Sequence, residues 1–314
     1  MKVAIAGVWH VHAKGYTQTA MEQGTVVGVN DDNAEWAADF AEKLGISVFA
    51  SYEELLKSDA EGIIFCSATN RHTEMMVRAA KAGKHIFTEK ALALDEEGCD
   101  AVRSAVEENG VRFVISFPWK FRPEIMALMQ AGDEGRIGKV NYMRFRNCHS
   151  GSIGHWLPAH FYNKEECGGG AMIDLGAHGM YLTHWFLGEP NSYTSVFNHF
   201  CLDEVDAKLN PTQLEDNAVT VMSYENGAVA VNETGFVSIG SPATLEVGGD
   251  KGYLYCNGRV ATLNDGKGIS ELALPEWPKA PIAAFLAGET PCGCGLDEAL
   301  ALTRMMIGAY KNVK

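Results

Sequence analysis

The sequence is poor in the features that mark several common protein classes. It has no apolar run approaching the roughly 18 residues that span a membrane, no C-x-x-C pair among its eight cysteines, and no surplus of basic residues. A formal net charge of −14 argues against nucleic acid or an anionic membrane surface as a partner. The scattered cysteines are expected to be reduced, mostly buried thiols, and we expect a cytoplasmic protein.

The order of the predicted elements changes near Pro118, and the length of 314 residues suggests about two domains. Residues 1–118 alternate short β-rich runs with helical patterns, which predicts an α/β Rossmann domain with a doubly wound parallel sheet. Residues 119–314 are mostly strands joined by turn signals such as Glu225-Asn226-Gly227, which predicts an α+β domain with a large, mainly antiparallel sheet. Since such a sheet leaves one face to be buried, we expect a homodimer or homotetramer.

The first predicted strand-to-helix turn lacks most of a dinucleotide fingerprint. Only Gly7 matches G-x-G-x-x-G, because Trp9 and His12 replace the second and third glycines. Asp31 ends the second predicted strand, where a carboxylate can bind ribose hydroxyls and repel a 2′-phosphate. No Arg or Lys lies between residues 25 and 42, so NAD is favoured over NADP. A turn and helix cap is the structural alternative for Asp31, and it is compatible with ribose binding.

The glycine-rich stretch Gly168-Gly169-Gly170 leads into an apolar run that predicts a buried helix ending near Gly188. Asp174 and His178 lie four residues apart in this run, so we expect them on one helix face. There the carboxylate can hold the tautomer of the imidazole and stabilise its protonated form. The alternative is a hydrogen-bonded structural pair in a core helix.

Lys90 follows a predicted strand at residues 85–88, which places it in the crevice at the carboxyl end of the sheet. An ammonium group there can stabilise the charge that develops on a substrate oxygen during hydride transfer. A surface lysine paired with Glu89 is the alternative.

Five ordered motifs give the chain a resemblance that covers nearly its whole length. They are Thr88-Glu89-Lys90-Ala91, Gly135-Arg136-Ile137-Gly138, Gly168 to His178, Glu215-Asp216-Asn217-Ala218 with Glu225-Asn226-Gly227-Ala228, and Leu245 to Gly252. Together they resemble the glucose-fructose oxidoreductase, inositol dehydrogenase and rhizopine-catabolism (Gfo/Idh/MocA) family. The resemblance implies that Lys90 is the catalytic lysine, Asp174 its acidic partner and His178 the acid/base histidine.

The resemblance also assigns the loop from Ser67 to His72 to the nicotinamide half of a cofactor site. The predicted cofactor-binding residues are Gly7, Trp9, His10, Val11, Asp31, Ser67, Ala68, Thr69, His72 and Glu89. The predicted substrate residues are Lys120, Arg122, His155, Trp156, His160, Tyr162 and Tyr181. The aromatic and imidazole cluster between residues 155 and 162 suits a polyhydroxylated ring, and ordinary packing is the alternative.

The chain departs from the family pattern at three places. The glycine-rich turn is mostly missing, the family's E-K-P has become Glu89-Lys90-Ala91, and Tyr181 stands where the family often has an aspartate three residues after the histidine. The last change suggests altered substrate contacts, because tyrosine brings a ring and a neutral donor in place of a charge.

These observations predict an NAD(P)-dependent dehydrogenase that acts on a secondary hydroxyl or keto group of a sugar, polyol or inositol-like substrate. No metal is expected, since Cys148-His149 and Cys292-Gly293-Cys294 are too tightly spaced for the usual zinc sites. One alternative is a nonenzymatic cofactor-sensing regulator, against which the retained Lys90, Asp174 and His178 argue. The other is an NAD-dependent glycosidase in which oxidation is transient.

Overall fold

The computed structural model describes residues Met1–Lys314. The helices are α1 (Ala13–Gln23), α2 (Ala34–Leu44), α3 (Tyr52–Lys57), α4 (Thr69–Lys81), α5 (Glu96–Asn109), α6 (Pro123–Asp133), α7 (Lys164–Cys167), α8 (Ala177–Leu187), α9 (Asp206–Leu209), α10 (Pro281–Leu286) and α11 (Leu296–Lys311). The strands are β1 (Lys2–Ala6), β2 (Thr25–Asn30), β3 (Gly62–Phe65), β4 (His85–Thr88), β5 (Phe113–Ile115), β6 (Val140–Cys148), β7 (Ser192–Asn198), β8 (Asn217–Ser223), β9 (Val229–Gly235), β10 (Thr244–Gly249), β11 (Tyr253–Cys256), β12 (Ala261–Asn264) and β13 (Ile269–Glu271). Among the helices, none has the length and apolar character needed to cross a bilayer.

The chain forms two compact units. The first unit comprises Met1–Ser116 and Lys279–Thr303, and the second comprises Phe117–Pro278 and Arg304–Lys314. The sequence division assigns Lys279–Thr303 to the second domain, whereas the structure assigns this segment to the first unit. The reason is packing at long sequence separation, since α10 lies against α1 and the backbone N–H of Ile115 donates to the carbonyl of Cys294.

A five-stranded sheet in the order β2-β1-β3-β4-β5 forms the centre of the first unit. All of its neighbouring strands are parallel. Strand β3 and residues 3–6 of β1 are fully buried and carry apolar side chains on both faces. This confirms the predicted Rossmann sheet. Beyond the edge strand β2, Val48 forms an isolated parallel bridge with Val29.

An eight-stranded sheet in the order β13-β12-β11-β10-β6-β9-β8-β7 forms the second unit. It is antiparallel except where β6 pairs with β9, which confirms the predicted large, mainly antiparallel sheet. Side chains of β8 alternate between buried Ala218, Thr220 and Met222 and more exposed neighbours, because α8 and other helices cover one face only.

The predicted buried helix of the second unit has two parts. Met172–Gly176 forms a single π-helical turn, and α8 continues from Ala177 to Leu187 before Gly188 ends it. The π turn widens the helix locally, and such turns occur often at functional sites. Asp174 lies in the π turn and His178 lies in the first turn of α8.

Candidate active site

The turn after β1 approaches the loop after β3 more closely than a side chain would allow. Gly7 has φ of 85°, and a Cβ atom placed on it would lie 2.3 Å from the Cα of Ser67. Glycine is therefore required at this position both for its backbone angle and for its missing side chain. The one glycine of the fingerprint that the sequence keeps is the one that this close approach needs.

The first unit has the groups that a dinucleotide phosphate requires. Helices α1 and α4 begin at this end of the sheet, and neither has a side-chain cap, so the positive end of each helix dipole lies here without a polar side chain bound to it. The hydroxyl of Ser67 is buried and has no hydrogen-bond partner in the protein. Because an unpaired buried hydroxyl is costly, this atom marks a place where a ligand can bind. These residues fit NAD, and Ser67, Ala68 and Thr69 would hold it.

Asp31 is hydrogen-bonded to the turn after β1, residues 7–12, which is called the nucleotide turn below. Its carboxylate accepts hydrogen bonds from the backbone N–H groups of Val8 and Asn33, each at 2.7 Å. Beside it, Asp32 forms an ion pair of 2.9 Å with Arg71 of α4. The prediction of NAD from the absence of Arg and Lys in residues 25–42 did not include this arginine, because Arg71 comes from α4. In this pair the charge of Arg71 is balanced by Asp32, and Asp31 remains the acidic group at the end of β2.

A buried carboxylate links the nucleotide turn to the end of β4. Glu89 is 1% exposed and accepts hydrogen bonds from Nδ1 of His12 at 2.8 Å and from the hydroxyl of Tyr16. Nε2 of His10 lies 3.8 Å from its other oxygen. Burial alone would raise the pKa of Glu89, but the charges of His10, His12 and Lys90 lower it well below its usual range.

His12 is a residue that sequence reasoning noted only as a missing glycine. Its backbone N–H donates to Nδ1 of His10 at 3.3 Å, so a neutral His10 ring carries its proton on Nε2, the nitrogen that faces Glu89. Two imidazoles thus lie beside one carboxylate, and one of them, His12, stands where other Rossmann turns have the third glycine. The signal was present in the sequence as His10-Val11-His12, but its meaning depended on Glu89, which is remote in sequence.

Lys90 is 6% exposed and directly follows Glu89, to which its backbone N–H donates at 3.3 Å. The peptide bond between Lys90 and Ala91 is cis.

His72 contacts the loops that follow β3 and β4, with Nδ1 2.8 Å from the carbonyl oxygen of Ala91 and Nε2 3.2 Å from that of Ser67. Burial lowers the pKa of His72, and its ring braces the two loops that carry Ser67 and Lys90. The direct cofactor contact of His72 stays a prediction, as do those of the exposed Val11 and the buried Trp9.

In the second unit, Glu215 holds the start of the stretch that carries Asp174. Its carboxylate accepts hydrogen bonds from the N–H groups of Gly170 at 2.9 Å and Met172 at 3.2 Å, and from the hydroxyl of Tyr310. Burial raises the pKa of Glu215, and these hydrogen bonds offset part of that rise. The sequence singled out residues 215–218 as a family motif without showing this role, because the groups involved come from three separate segments.

His178 is 6% exposed, and its Nδ1 lies 2.9 Å from the hydroxyl oxygen of Tyr181. Tyr181 is itself 1% exposed and accepts a hydrogen bond of 3.1 Å from the backbone N–H of Trp119. The sequence predicts Asp174 as the group that orients the imidazole, and the structure gives Nδ1 a different partner one turn further along α8. The orienting role of Asp174 stays a prediction.

Two predicted substrate residues at the start of the second unit differ in their surroundings. The Lys120 ammonium is buried among aromatic rings, 5.2 Å from the centre of Phe117 and 5.3 Å from that of Trp185. Arg122 instead donates to Glu124 at 2.6 Å and to the carbonyl of Gly258 at 3.0 Å. These partners give Arg122 a structural role, and its contact with substrate stays a prediction.

The loop residues predicted to line a substrate site have several different partners, and their contact with substrate stays a prediction. His155 pairs with Asp203 at 3.2 Å, and the buried Tyr162 shares a hydrogen bond of 2.7 Å with Ser152. His160 is half-buried beside Phe161, with the two ring centres 5.1 Å apart. Trp156 lies against a further imidazole, with its ring centre 4.6 Å from that of His149.

His149 is a candidate that sequence reasoning missed. It follows β6, stacks on Phe236 at 4.9 Å, and accepts a hydrogen bond from the N–H of Gly151 at Nδ1. Burial lowers the pKa of His149, and the charge of Asp174 partly opposes this change. His149 therefore lies within electrostatic range of the predicted catalytic carboxylate. Its sequence signal was considered only as a zinc pattern with Cys148.

Two groups of side chains have the atom types and spacing of metal ligands. They are His10, His12 and Glu89 in the first unit and His199, Asp206 and Asp216 in the second, with ligand atoms within 4.8 Å of one another. In each group an imidazole nitrogen lies within hydrogen-bond distance of a carboxylate oxygen. The distance is 2.8 Å between His12 and Glu89 and 2.7 Å between His199 and Asp206. The expectation that no metal is needed stays a prediction.

The first unit has the features of a dinucleotide-binding protein. They are the parallel sheet, the turn that requires glycine at Gly7, the unpaired hydroxyl of Ser67 beside it, and Asp31 after β2. The chain belongs to the Gfo/Idh/MocA oxidoreductases. Residues 1–117 match the sequence profile described as oxidoreductase family, NAD-binding Rossmann fold, and residues 125–255 match that of the GFO/IDH/MocA C-terminal domain. The predicted family, the fold class and the NAD-binding oxidoreductase character are thereby confirmed.

Characterised relatives are similar over most of the chain. The sequence is 24% identical to myo-inositol 2-dehydrogenase of Thermotoga maritima over 263 residues, which are 82% of this chain and 75% of the relative. It is 28% identical to scyllo-inositol 2-dehydrogenase (NAD(+)) of Bacillus subtilis over 279 residues, covering 85% and 77% of the two chains. The fold matches levoglucosan dehydrogenase in complex with NADH and levoglucosan with a TM-score of 0.84 at 19% identity, covering 99% and 96% of the two chains.

Proposed function

We propose that the protein is an NAD-dependent dehydrogenase that interconverts a secondary hydroxyl and a keto group on a sugar, polyol or inositol-like substrate. The observation that carries this proposal is that the second unit has a buried His178 with a hydrogen-bond partner at Nδ1, while the first unit has a buried Lys90 directly after β4. A coenzyme-binding regulator would need the first unit's turn but would have no use for an acid/base histidine. The names of the inositol and levoglucosan dehydrogenase relatives support a cyclic polyhydroxylated substrate.

In this proposal, NAD when bound supplies the acceptor for the hydride that leaves the carbinol carbon. His178 receives the hydroxyl proton at Nε2, since Nδ1 is held by Tyr181. Lys90 donates a hydrogen bond to the same substrate oxygen and stabilises the negative charge that it develops. Asp174 stabilises the positive charge that His178 gains. Asp31 selects the unphosphorylated ribose, and Lys120 and Trp156 shape the substrate's surroundings.

The test is a turnover screen of inositols, sugars, polyols and their oxo forms with NAD and with NADP, followed by the absorbance of the reduced nicotinamide. We expect turnover with NAD on at least one cyclic polyol, and its loss in the Lys90→Ala variant. Coenzyme binding without turnover in any well would contradict the proposal and favour a regulator. Hydrolysis of a glycoside with no net reduced nicotinamide would favour the glycosidase mechanism.

We also propose that the protein is a homodimer or homotetramer that buries the open face of the eight-stranded sheet. On that face Val196, Val221 and Val229 are 49%, 39% and 37% exposed. Arg144 lies on the same face with a two-pronged ion pair to Glu233, at 2.6 and 2.9 Å. An apolar patch beside an ordered ion pair suits a self-complementary interface.

A further inference from the structure

We propose that Tyr181 is a positioning residue that keeps the proton of neutral His178 on Nδ1 and so leaves Nε2 as the basic nitrogen for the substrate hydroxyl. This inference rests on the proposed dehydrogenase function. It assigns to Tyr181 an action through His178, in place of the direct substrate contact suggested by the sequence.

The Tyr181 ring is held in place by packing. The ring is 1% exposed and stacks on Phe117, with centres 4.2 Å apart and planes 22° apart. The Lys120 ammonium lies 6.0 Å from the centre of the same ring. A side chain packed in this way has no alternative rotamer without opening the core, so its hydroxyl oxygen is a fixed point.

The hydroxyl oxygen of Tyr181 takes part in two hydrogen bonds. The backbone N–H of Trp119 donates to it at 3.1 Å, which occupies one of its two lone pairs. The same oxygen lies 2.9 Å from Nδ1 of His178, a distance at which either group can be the donor. A ring N–H on Nδ1 can donate there, and the hydroxyl oxygen then accepts two hydrogen bonds, which is its full acceptor capacity.

The position of the ring proton decides which nitrogen of His178 can accept the substrate proton. In the oxidation the hydroxyl O–H and the carbinol C–H bonds break, the proton moves to Nε2 of His178, and the hydride moves with its electron pair to the oxidised nicotinamide as the carbonyl forms. Nε2 can accept that proton only if the neutral ring carries its hydrogen on Nδ1. The Nδ1–H bond to Tyr181 remains in place before and after the transfer, so neither side chain has to reorient during the step.

The charge on the partner also matters. A carboxylate at position 181 would hold the same tautomer, but it would add a buried negative charge that stabilises the imidazolium. A phenol oxygen is neutral in both states of His178, so it positions the ring without trapping the transferred proton. Within the second unit the Lys120 ammonium lies 6.0 Å from the centre of the Tyr181 ring, and the ring of Trp119 lies 6.2 Å from that of His178. Asp174 precedes the pair on the π turn.

The experiment uses Tyr181→Phe, which keeps the ring stack and removes only the hydroxyl. Its matched control is Tyr224→Phe, since the Tyr224 hydroxyl is buried in the same unit and has no partner. The first readout is the ¹⁵N chemical shifts of the His178 imidazole, which distinguish the two tautomers without any turnover. The second is the separation of kcat from KM on the substrate found in the screen.

We expect one Nδ1–H tautomer in the wild type and in Tyr224→Phe, and a mixture in Tyr181→Phe. We expect kcat to fall about tenfold in Tyr181→Phe, the usual effect of one lost hydrogen bond, with KM changed by less than about twofold. An Nε2–H tautomer in the wild type, or unchanged shifts and kcat in Tyr181→Phe, would overturn the inference. If no substrate is turned over at all, the proposed function fails, and the ¹⁵N shifts alone then decide whether Tyr181 sets the tautomer.

Discussion

The two units obtain their polar groups in different ways. In the first unit the predicted cofactor residues follow successive parallel strands, with Gly7 after β1, Asp31 after β2, Ser67 after β3 and Glu89 after β4. In the second unit His178 depends on Tyr181 and Trp119, and the stretch holding Asp174 depends on Glu215 and Tyr310. The carboxyl ends of parallel strands meet at one edge whatever their side chains, whereas the second arrangement exists only if distant segments pack correctly.

Because of this difference, we expect substitutions to affect coenzyme binding and the chemical step separately. Substitutions of the predicted coenzyme residues of the first unit are expected to change coenzyme binding. Substitutions at His178 and its partners, and at Lys90 in the first unit, are expected to change the chemical step.

The largest effect is expected at His178. Replacing it by alanine should lower kcat by about 10²–10⁴-fold, the usual contribution of a general acid or base. The dissociation constant of NADH, measured by fluorescence, should change by less than about threefold, because the predicted coenzyme residues belong to the other unit. A comparable loss of NADH binding in His178→Ala would break the division of roles.

The next effect is expected at Glu89 and concerns stability. Because the folded-state pKa of this carboxyl is lowered, its ionised form stabilises the fold above the ordinary carboxyl pKa of about 4.3, and this stabilisation is lost as the pH falls further. Glu89→Gln should therefore reduce the free energy of unfolding by about 2 kcal/mol at pH 7, and the difference should shrink below about pH 4.

Urea denaturation at pH 7 and in mild acid measures this difference. Glu42→Gln, at an exposed position of α2, is the matched control and should leave the free energy of unfolding nearly unchanged. A difference between wild type and Glu89→Gln that does not depend on pH would show that Glu89 is not the ionised centre of the nucleotide turn.

A smaller effect is expected for coenzyme choice. Asp31→Ser removes the charge that repels a 2′-phosphate and leaves Arg71 nearby, so the ratio of NADPH to NADH affinity should rise by about tenfold. Adding Arg71→Ala to this variant should remove most of the gain. Equal ratios in wild type and Asp31→Ser, measured by fluorescence titration, would argue against a ribose contact for Asp31.

The smallest effect on catalysis is expected at the open sheet face. Val221→Arg should lower the molar mass measured by light scattering, because it places a charge in the proposed interface, while kcat per chain changes little. Val48→Arg, at an exposed valine of the first unit, should leave the mass unchanged. A monomeric wild-type protein would contradict the proposed oligomer.

Several features of the fold followed from local patterns. The alternation of β-rich runs with amphipathic segments such as α2 predicted the parallel sheet, and the turn signals after Pro118 predicted the antiparallel one. The helix ending at Gly188 was also predicted, but its π turn was not, because that turn arises where the backbone of Gly170 and Met172 meets Glu215. Helical periodicity carries no information about such a partner.

The sequence by itself determined the order of the elements, the family, and the residue types available for chemistry, since these depend on spacing along the chain. Tertiary structure alone decided that Lys279–Thr303 belongs with the first unit, that Arg71 reaches Asp32, and that Tyr181 binds Nδ1 of His178. Each of these depends on a contact between side chains or segments whose meeting is set by packing. Hydrogen bonds and charges act over a few ångströms, so their partners are known only once the chain has folded.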